Sequence, residues 1–249
     1  MASNISFYGF LRLMLALTWL LASCCWATTE QVIFNFTGGA DGGDPASQLV
    51  FDNSGNAYGT TVVGGSAGCG TIFQLSNQQG QWQQTVLYSF SCFADGKNPY
   101  GGVTFDAEGN LYGTTVAGGS GGICSGDGCG VVYKLTHSNG GWTESVLYSF
   151  GDFPDAGGPG SAVIFDRAGN LYGTAPDGGA YAEGAVYQLS PNGGQWTEKV
   201  IHKFAGQHGG WFPCDEAEYG VCPGLAVIGG DLIGVTGSGG DSGHECFIG

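Results

Sequence analysis

Acidic and amide side chains recur at matching positions in the loops of this sequence, where they could bind a ligand. Asp95 and Asp155 each lie 11 residues before an aspartate of a repeated turn, and Asn98 follows Asp95 closely. Carboxylate and carbonyl oxygens are the ligands that Ca²⁺ prefers in proteins. A Ca²⁺ site is therefore one interpretation, although the sequence contains no EF-hand loop, and solvated turn residues are the alternative. No other cofactor is predicted, and no metal site is assigned.

The longest irregular loop, within residues 206–224, combines an aromatic residue with acids. Trp211 precedes Asp215 and Glu216, so a sugar ring could stack on the indole beside the carboxylates. Glu216 and Glu218 of the same loop could be the paired acids of glycoside hydrolysis, but no catalytic residue is assigned from them. A flap closed by a disulfide is the alternative. The predicted ligand-binding residues are Asp95, Asn98, Asp155, Trp211, Asp215 and Glu216.

Nine cysteines occur in the chain, and seven of them follow residue 27. An exported chain favours disulfides over free thiols. Short sequence separations indicate three candidate pairs, although sequence alone does not fix the connectivity. These are Cys69–Cys92, Cys124–Cys129 and Cys214–Cys222. Paired CxxC or Cys/His spacings are absent from the sequence, which disfavours a zinc site.

Residues 1–27 are predicted to be an export signal. Arg12 is followed by an apolar run over 13–21, which is shorter than the roughly 20 residues that span a bilayer. Small residues at Cys25 and Ala27 predict cleavage after Ala27, whereas residues 21–24 fit a lipobox with Cys24 as the lipidated residue. The mature protein is thus expected outside the cell or at the envelope, secreted or lipid-anchored, without a transmembrane span.

The composition excludes several classes of function. Glycine supplies 50 of 249 residues without a collagen period, and 42% of residues are hydrophobic, which argues against disorder. The formal net charge is −15, a sign that disfavours binding to nucleic acids or anionic membranes.

A repeat organises the whole chain. The segments FDNSGNAYGTT at 51–61, FDAEGNLYGTT at 105–115 and FDRAGNLYGTA at 165–175 are three copies of one motif. Each Asp-x-x-Gly-Asn is a turn signal, because aspartate bonds nearby backbone N–H groups and glycine accepts positive φ. Repetition of the turn favours a structural role, and the repeated tryptophans and tyrosines are expected in the core.

Each repeat unit predicts four short antiparallel strands. In the second unit these are Gly102–Asp106, Leu111–Val116, Val131–Thr136 and Glu144–Phe150, where apolar and polar residues alternate. Such units predict an all-β fold, a β-propeller built from four-stranded antiparallel blades over residues 28–249. The predicted units are 37–90, 91–150, 151–204 and a partial unit 205–249 that strand 31–36 completes. About four blades are present, and a truncated larger propeller is the alternative.

The ordered motifs Asp-x-x-Gly-Asn-Leu-Tyr-Gly-Thr-Thr, Gly-Gly and Val-Leu-Tyr-Ser-Phe resemble the GloVer repeat of bacterial "choice-of-anchor tandem repeat" proteins. The resemblance extends over about Val32 to Gly240. It implies an exported, propeller-shaped repeat protein of unknown biochemical role. Members often end in an anchoring segment, and the lack of one here favours a missing C-terminus.

The leading functional hypothesis is a non-enzymatic binding or surface-interaction module for carbohydrate or a surface protein. It rests on regular repeats without a unique catalytic set. An extracellular hydrolase or lyase that acts on carbohydrate, with acids on the loops, is the alternative. A purely structural role in the cell envelope is a third hypothesis, and the oligomeric state is left open.

Overall fold

Secondary structure in this protein is almost entirely β. The computed structural model describes residues 30–122, 124–138, 141–152, 154–179, 183–205 and 224–235. Within them, three antiparallel sheets have four strands each, joined in simple up-and-down order, and a hairpin follows. This confirms the predicted all-β class and its four-stranded antiparallel sheets.

The strand bounds follow the repeat. Sheet 1 contains β1 (Val50–Phe51), β2 (Ala57–Thr61), β3 (Thr71–Gln78) and β4 (Gln81–Ser89). Sheet 2 contains β5 (Val103–Phe105), β6 (Leu111–Thr115), β7 (Val131–Ser138) and β8 (Gly141–Ser149). Sheet 3 contains β10 (Ile164–Phe165), β11 (Leu171–Ala175), β13 (Ala185–Asn192) and β14 (Gln195–Lys203), while β9 (Ala156–Gly157) pairs with β12 (Asp177–Gly178). The final hairpin joins β15 (Ala226–Ile228) to β16 (Asp231–Ile233).

The third and fourth strands of each sheet are longer than the sequence indicates. In sheet 1 they are joined by Gln79 and Gly80, both with positive φ, at 57° and 89°. This two-residue turn matches the twist of the strands, so pairing continues up to the turn itself.

The Asp-x-x-Gly-Asn motif forms the turn between the first two strands of each sheet. One oxygen of Asp52 accepts the backbone N–H groups of Ser54 and Asn56 at 2.8 and 2.9 Å. Its other oxygen accepts the Asn56 amide and the Tyr58 hydroxyl at 2.8 and 3.0 Å. The same four bonds recur at Asp106 and Asp166. The predicted structural role of the turn is therefore confirmed.

Aromatic side chains fill the spaces between consecutive sheets. The ring centroids of Tyr58 and Phe105 lie 5.0 Å apart, and Tyr112 and Phe165 make the same contact at 5.0 Å. Trp142 lies 6.5 Å from Tyr58. Tyr58 and Tyr112 thus lie in the core as predicted, and Trp142 and Trp196 pack against the same clusters while partly buried.

The residues that end the fourth strands of sheets 1 and 2 also pack against the next sheet. Phe90 lies 5.2 Å from Tyr133, and Phe150 lies 4.9 Å from Tyr187. All four rings are buried.

The region before sheet 1 has an equivalent packing contact without a strand. The chain divides into two compact parts after Ile33, and residues 30–33 of the first part form no helix or strand. Within residues 34–249, the Phe36 ring lies 4.8 Å from the Phe73 ring, a contact that corresponds to the one between Phe90 and Tyr133. No strand is assigned over 31–36, so completion of the last unit by this segment stays a prediction.

The predicted signal, with Cys24, falls outside the described residues. Over the ranges that are described, the structure has no helix with the length and apolar character that a bilayer crossing requires.

Candidate functional site

Loops between the second and third strands, and those after the fourth strand, emerge at the same ends of the sheets. We call residues 62–70, 90–102, 116–130 and 150–158, as far as they are described, the loop surface. Two disulfides fasten it. Cys69 is joined to Cys92 and Cys124 to Cys129, with Cα–Cα distances of 5.4 and 5.0 Å. These are two of the three predicted pairs, and Cys214–Cys222 falls outside the described residues.

Asp95 and Asp155 close the loops that follow β4 and β8. One oxygen of Asp95 accepts the Ser91 backbone N–H at 2.7 Å and the Tyr88 hydroxyl at 2.8 Å. Asp155 accepts the Gly151 N–H at 2.7 Å and the Tyr148 hydroxyl at 3.1 Å. Burial would raise the pKa of Asp95, but the hydrogen bonds from Ser91 and Tyr88 hold it below its usual value. A ligand at either carboxylate must compete with these internal bonds.

Asn98 links sheet 1 to the start of the second repeat unit. Its side-chain amide donates to the Val62 carbonyl, and its backbone N–H donates to the Cys69 carbonyl, both at 3.0 Å. Its φ is 56°, and the matching residues Asp44 and Gly158 have φ of 53° and 63°. Asn, Asp and Gly are the residues that best tolerate this left-handed conformation. The repeat therefore specifies these residue types for the backbone.

The remaining predicted ligand-binding residues, Trp211, Asp215 and Glu216, fall outside the described residues. The Ca²⁺ site stays a prediction. In the described part of the chain, one group of three candidate metal ligands comes together: Cys124, Cys129 and Asp152. Its two cysteines are joined as a disulfide, so their sulfurs are not thiolate ligands in this structure.

Phe93 projects from the loop surface on a fixed backbone. Its side chain is 76% exposed. Its carbonyl accepts the N–H groups of Gly96 and Gly119 at 3.0 and 2.9 Å, and its neighbour Cys92 is held by the disulfide. An exposed aromatic ring on a backbone tied at both sides is suited to stacking on a ligand without a large loss of entropy.

Two glutamates form the second unusual group of side chains. Glu144 in β8 and Glu198 in β14 pair across their hairpins with the buried residues Leu135 and Leu189. One oxygen of each glutamate, Oε1, is buried and has no hydrogen-bond partner. Burial, assisted by the negative charge of Asp95, raises the pKa of Glu144 to about 7. Burial, followed by the charge of Asp155 and a hydrogen bond to it, raises the pKa of Glu198 to about 7.

The repeated organisation of the chain is similar to that of a known repeat family. Residues 24–128 match the model of the Gloeobacter/Verrucomicrobia repeat. Residues 24–128 are thus similar to this repeat. The match confirms the resemblance drawn from the motifs, and no curated protein matches the chain. Sheet 3 lies beyond the matched residues, but its turn at Asp166 has the same four hydrogen bonds as the turns at Asp52 and Asp106.

Phe93 and the two glutamates are not among the residues predicted from the sequence, although the repeat units of this chain contain a signal for each. Phe93 precedes Asp95 by two residues, as Phe153 precedes Asp155. Glu144 and Glu198 each follow the repeated tryptophan by two residues, where the first unit has Gln84. An acid on the same face of a strand as core residues is unusual, because burial penalises its charge.

A carboxyl group with a pKa near 7 can donate a proton at neutral pH, as a general acid must. The combination of a glutamate and a loop aspartate occurs twice rather than once, as Glu144 with Asp95 and as Glu198 with Asp155. Each pair also lies where sheets pack, and one member already closes a loop. This arrangement favours a role in packing over catalysis.

Proposed function

We propose that this chain is an exported β-propeller of Gloeobacter/Verrucomicrobia repeats that acts as a binding module. Its ligand would be carbohydrate or the surface of another protein. Phe93 would make the central contact, and the surrounding loop surface would present it.

The propeller proposal draws support from the way the sheets follow one another. Each has four antiparallel strands in chain order, as a propeller blade does. Successive sheets pack through equivalent aromatic pairs, Tyr58 with Phe105 and Tyr112 with Phe165. Export is supported by the predicted signal and by the disulfides, which persist in oxidising compartments.

The exposed ring of Phe93 carries the binding proposal. Aromatic residues supply much of the binding energy at many interfaces, and Phe93 is 76% exposed. Phe93 is held by a disulfide neighbour and two backbone hydrogen bonds, so its position is set before a ligand arrives.

The second candidate function is carbohydrate hydrolysis. One observation favours it: Glu144 has a pKa of about 7 beside the ionised Asp95, the combination that a general acid and its partner require. Binding remains the better proposal, because Asp95 is already occupied by Ser91 and Tyr88.

The test is a binding assay on the full chain, purified after expression with its own N-terminal residues. A glycan array and a pull-down of envelope proteins provide the two ligand arms. We expect Phe93→Ala to weaken binding by about tenfold or more, because the ring supplies the stacking surface. Phe93→Tyr retains that surface and is the matched control.

Unchanged binding by Phe93→Ala would contradict the assignment of this residue. Turnover of a polysaccharide that is lost in Glu144→Gln but kept in Phe93→Ala would replace the binding proposal with hydrolysis.

A further inference from the structure

We propose that the junctions between sheets 1 and 2 and between sheets 2 and 3 are pH-dependent contacts. Glu144 and Glu198 are protonated when these junctions are tightly packed. Their ionisation loosens the junctions and the loops that Asp95 and Asp155 close. Only the consequence for ligand binding rests on the proposed function, because the junctions themselves belong to the fold.

At the first junction, the described residues around Glu144 are acidic or neutral and include no facing cation. The charge that acts on Glu144 is that of Asp95 in the loop after β4. Glu144 in turn acts electrostatically on Tyr88 of β4 and Tyr133 of β7. Lys134 of β7 pairs with Asp106 at 3.8 Å and lies over the Tyr112 ring, on the other face of the sheet.

The next junction repeats the arrangement. The charge that acts on Glu198 of β14 is that of Asp155 in the loop after β8. Its charge acts on Tyr148 of β8 and Tyr187 of β13, the counterparts of Tyr88 and Tyr133. The hydroxyls of both buried tyrosines, Tyr133 and Tyr187, lack a hydrogen-bond partner, as do the buried Oε1 atoms of both glutamates. Neither Oε1 atom therefore has a donor that would stabilise a negative charge on it.

The region before sheet 1 has the same packing without a glutamate or tyrosines, and Asp41 takes the place of Asp95 there, accepting the Thr37 N–H at 2.9 Å. Gln84 replaces the glutamate, Phe34 replaces the first tyrosine and Phe73 replaces the second. Gln84 donates its amide to the Asp41 carbonyl at 3.0 Å, and Phe34 and Phe36 pack on the core of sheet 1. The position thus accommodates an uncharged amide, which is an isostere of a protonated glutamate.

Ionisation has a defined consequence at each charged junction. It places a second negative charge beside a carboxylate that closes a loop, in a site with little water to screen it. Because Asp95 closes the loop from Ser91, repulsion is transmitted to the segment that carries Phe93. The pKa of both glutamates is raised to about 7, so protonated, tightly packed junctions prevail below that pH and loosen above it.

The experiment compares the full chain with Glu144→Gln/Glu198→Gln at about pH 5 and pH 8, without ligand. We expect the thermal midpoint of the parent chain to fall by at least ~4 °C between these pH values, and that of the double variant to change much less. Gln84→Glu adds an acid where the chain has none, so its midpoint should fall further than that of the parent at pH 8.

A second measurement follows the glutamate carboxyl carbons of the parent chain by NMR across the same pH range. Two carboxyls that titrate well above the usual range for glutamate support the proposal. Titration of every glutamate near its ordinary pKa would overturn it, as would equal pH dependence in parent and double variant. Hydrogen exchange over residues 91–96, corrected for the intrinsic effect of pH, should accelerate at pH 8 in the parent only. None of these readouts involves a ligand, so their failure is distinct from a failure of the binding assay.

Discussion

A single carboxylate organises each Asp-x-x-Gly-Asn turn of this chain. Asp106 accepts two backbone N–H groups, the Asn110 amide and the Tyr112 hydroxyl, at 2.7 to 3.1 Å. Partial burial alone would raise the pKa of this carboxyl. The hydrogen bonds, with a smaller contribution from the charge of Lys134, hold the pKa below its usual value. A side chain that satisfies four donors at once is difficult to replace.

We therefore expect Asp106→Asn to lower the free energy of unfolding by about 1–3 kcal/mol at neutral pH. The new amide would face donors on Asn110 and Tyr112 with an NH₂ group of its own. Chemical denaturation followed by circular dichroism measures the loss. Glu108→Gln removes the same charge from an exposed side chain of the same turn and is the control. Equal effects of the two variants would show that charge, rather than the hydrogen bonds, matters.

At the scale of elements, the glycine of the repeated Tyr-Gly pair allows a buried tyrosine ring of the neighbouring strand to lie directly against its backbone. Gly113 of β6 pairs with Tyr133 of β7. A Cβ at Gly113 would collide with the Tyr133 hydroxyl and would lie 2.7 Å from the Gly102 carbonyl oxygen. The glycine therefore makes room for the buried tyrosine that contacts Phe90 of the preceding sheet.

Gly113→Ala is expected to lower the free energy of unfolding by about 1–3 kcal/mol, since overpacking forces a buried ring or strand to shift. The change is measured by the denaturant midpoint. Gly224→Ala is the matched control, because Gly224 is exposed and a Cβ there would meet no atom of the described residues within 4 Å. A midpoint for Gly113→Ala that equals the control would refute the packing argument.

The sequence predicts elements of this kind well, because their determinants are local. The Asp-x-x-Gly-Asn turn is made by residues within six positions of Asp106, and alternation places Leu111 and Tyr133 in the core. The role of Asp95 was not predicted, because its partners include a tyrosine on the preceding strand. The proximity of Glu144 to Asp95 depends on how two sheets stack, which a repeat pattern does not specify.

At the scale of the whole molecule, the formal charge of −15 conceals two sets of carboxyls with opposite effects on stability. The turn carboxyls Asp52, Asp106 and Asp166 have a lowered pKa: burial would raise it, but the hydrogen bonds of the turn outweigh burial. Glu144 and Glu198 have a pKa raised to about 7 by burial first. Groups of the first kind stabilise the fold only when ionised, and those of the second kind only when protonated.

The stability of the full chain should therefore be greatest between about pH 4 and 5 and should fall on both sides. Below the ordinary aspartate pKa of 3.8, protonation removes the contribution of the turns as pH falls through their lowered values. Above the ordinary glutamate pKa of 4.5, unfolding releases protons that the folded chain retains, so stability is lost as pH rises through about 7. Each glutamate is expected to contribute about 1–3 kcal/mol to this loss, discounted for partial exposure. Denaturant unfolding at successive pH values measures this profile of stability. Glu144→Gln/Glu198→Gln should flatten only the neutral side of the profile, whereas Asp106→Asn should flatten only the acid side. A stability that rises from pH 5 to 8 would contradict the assignment.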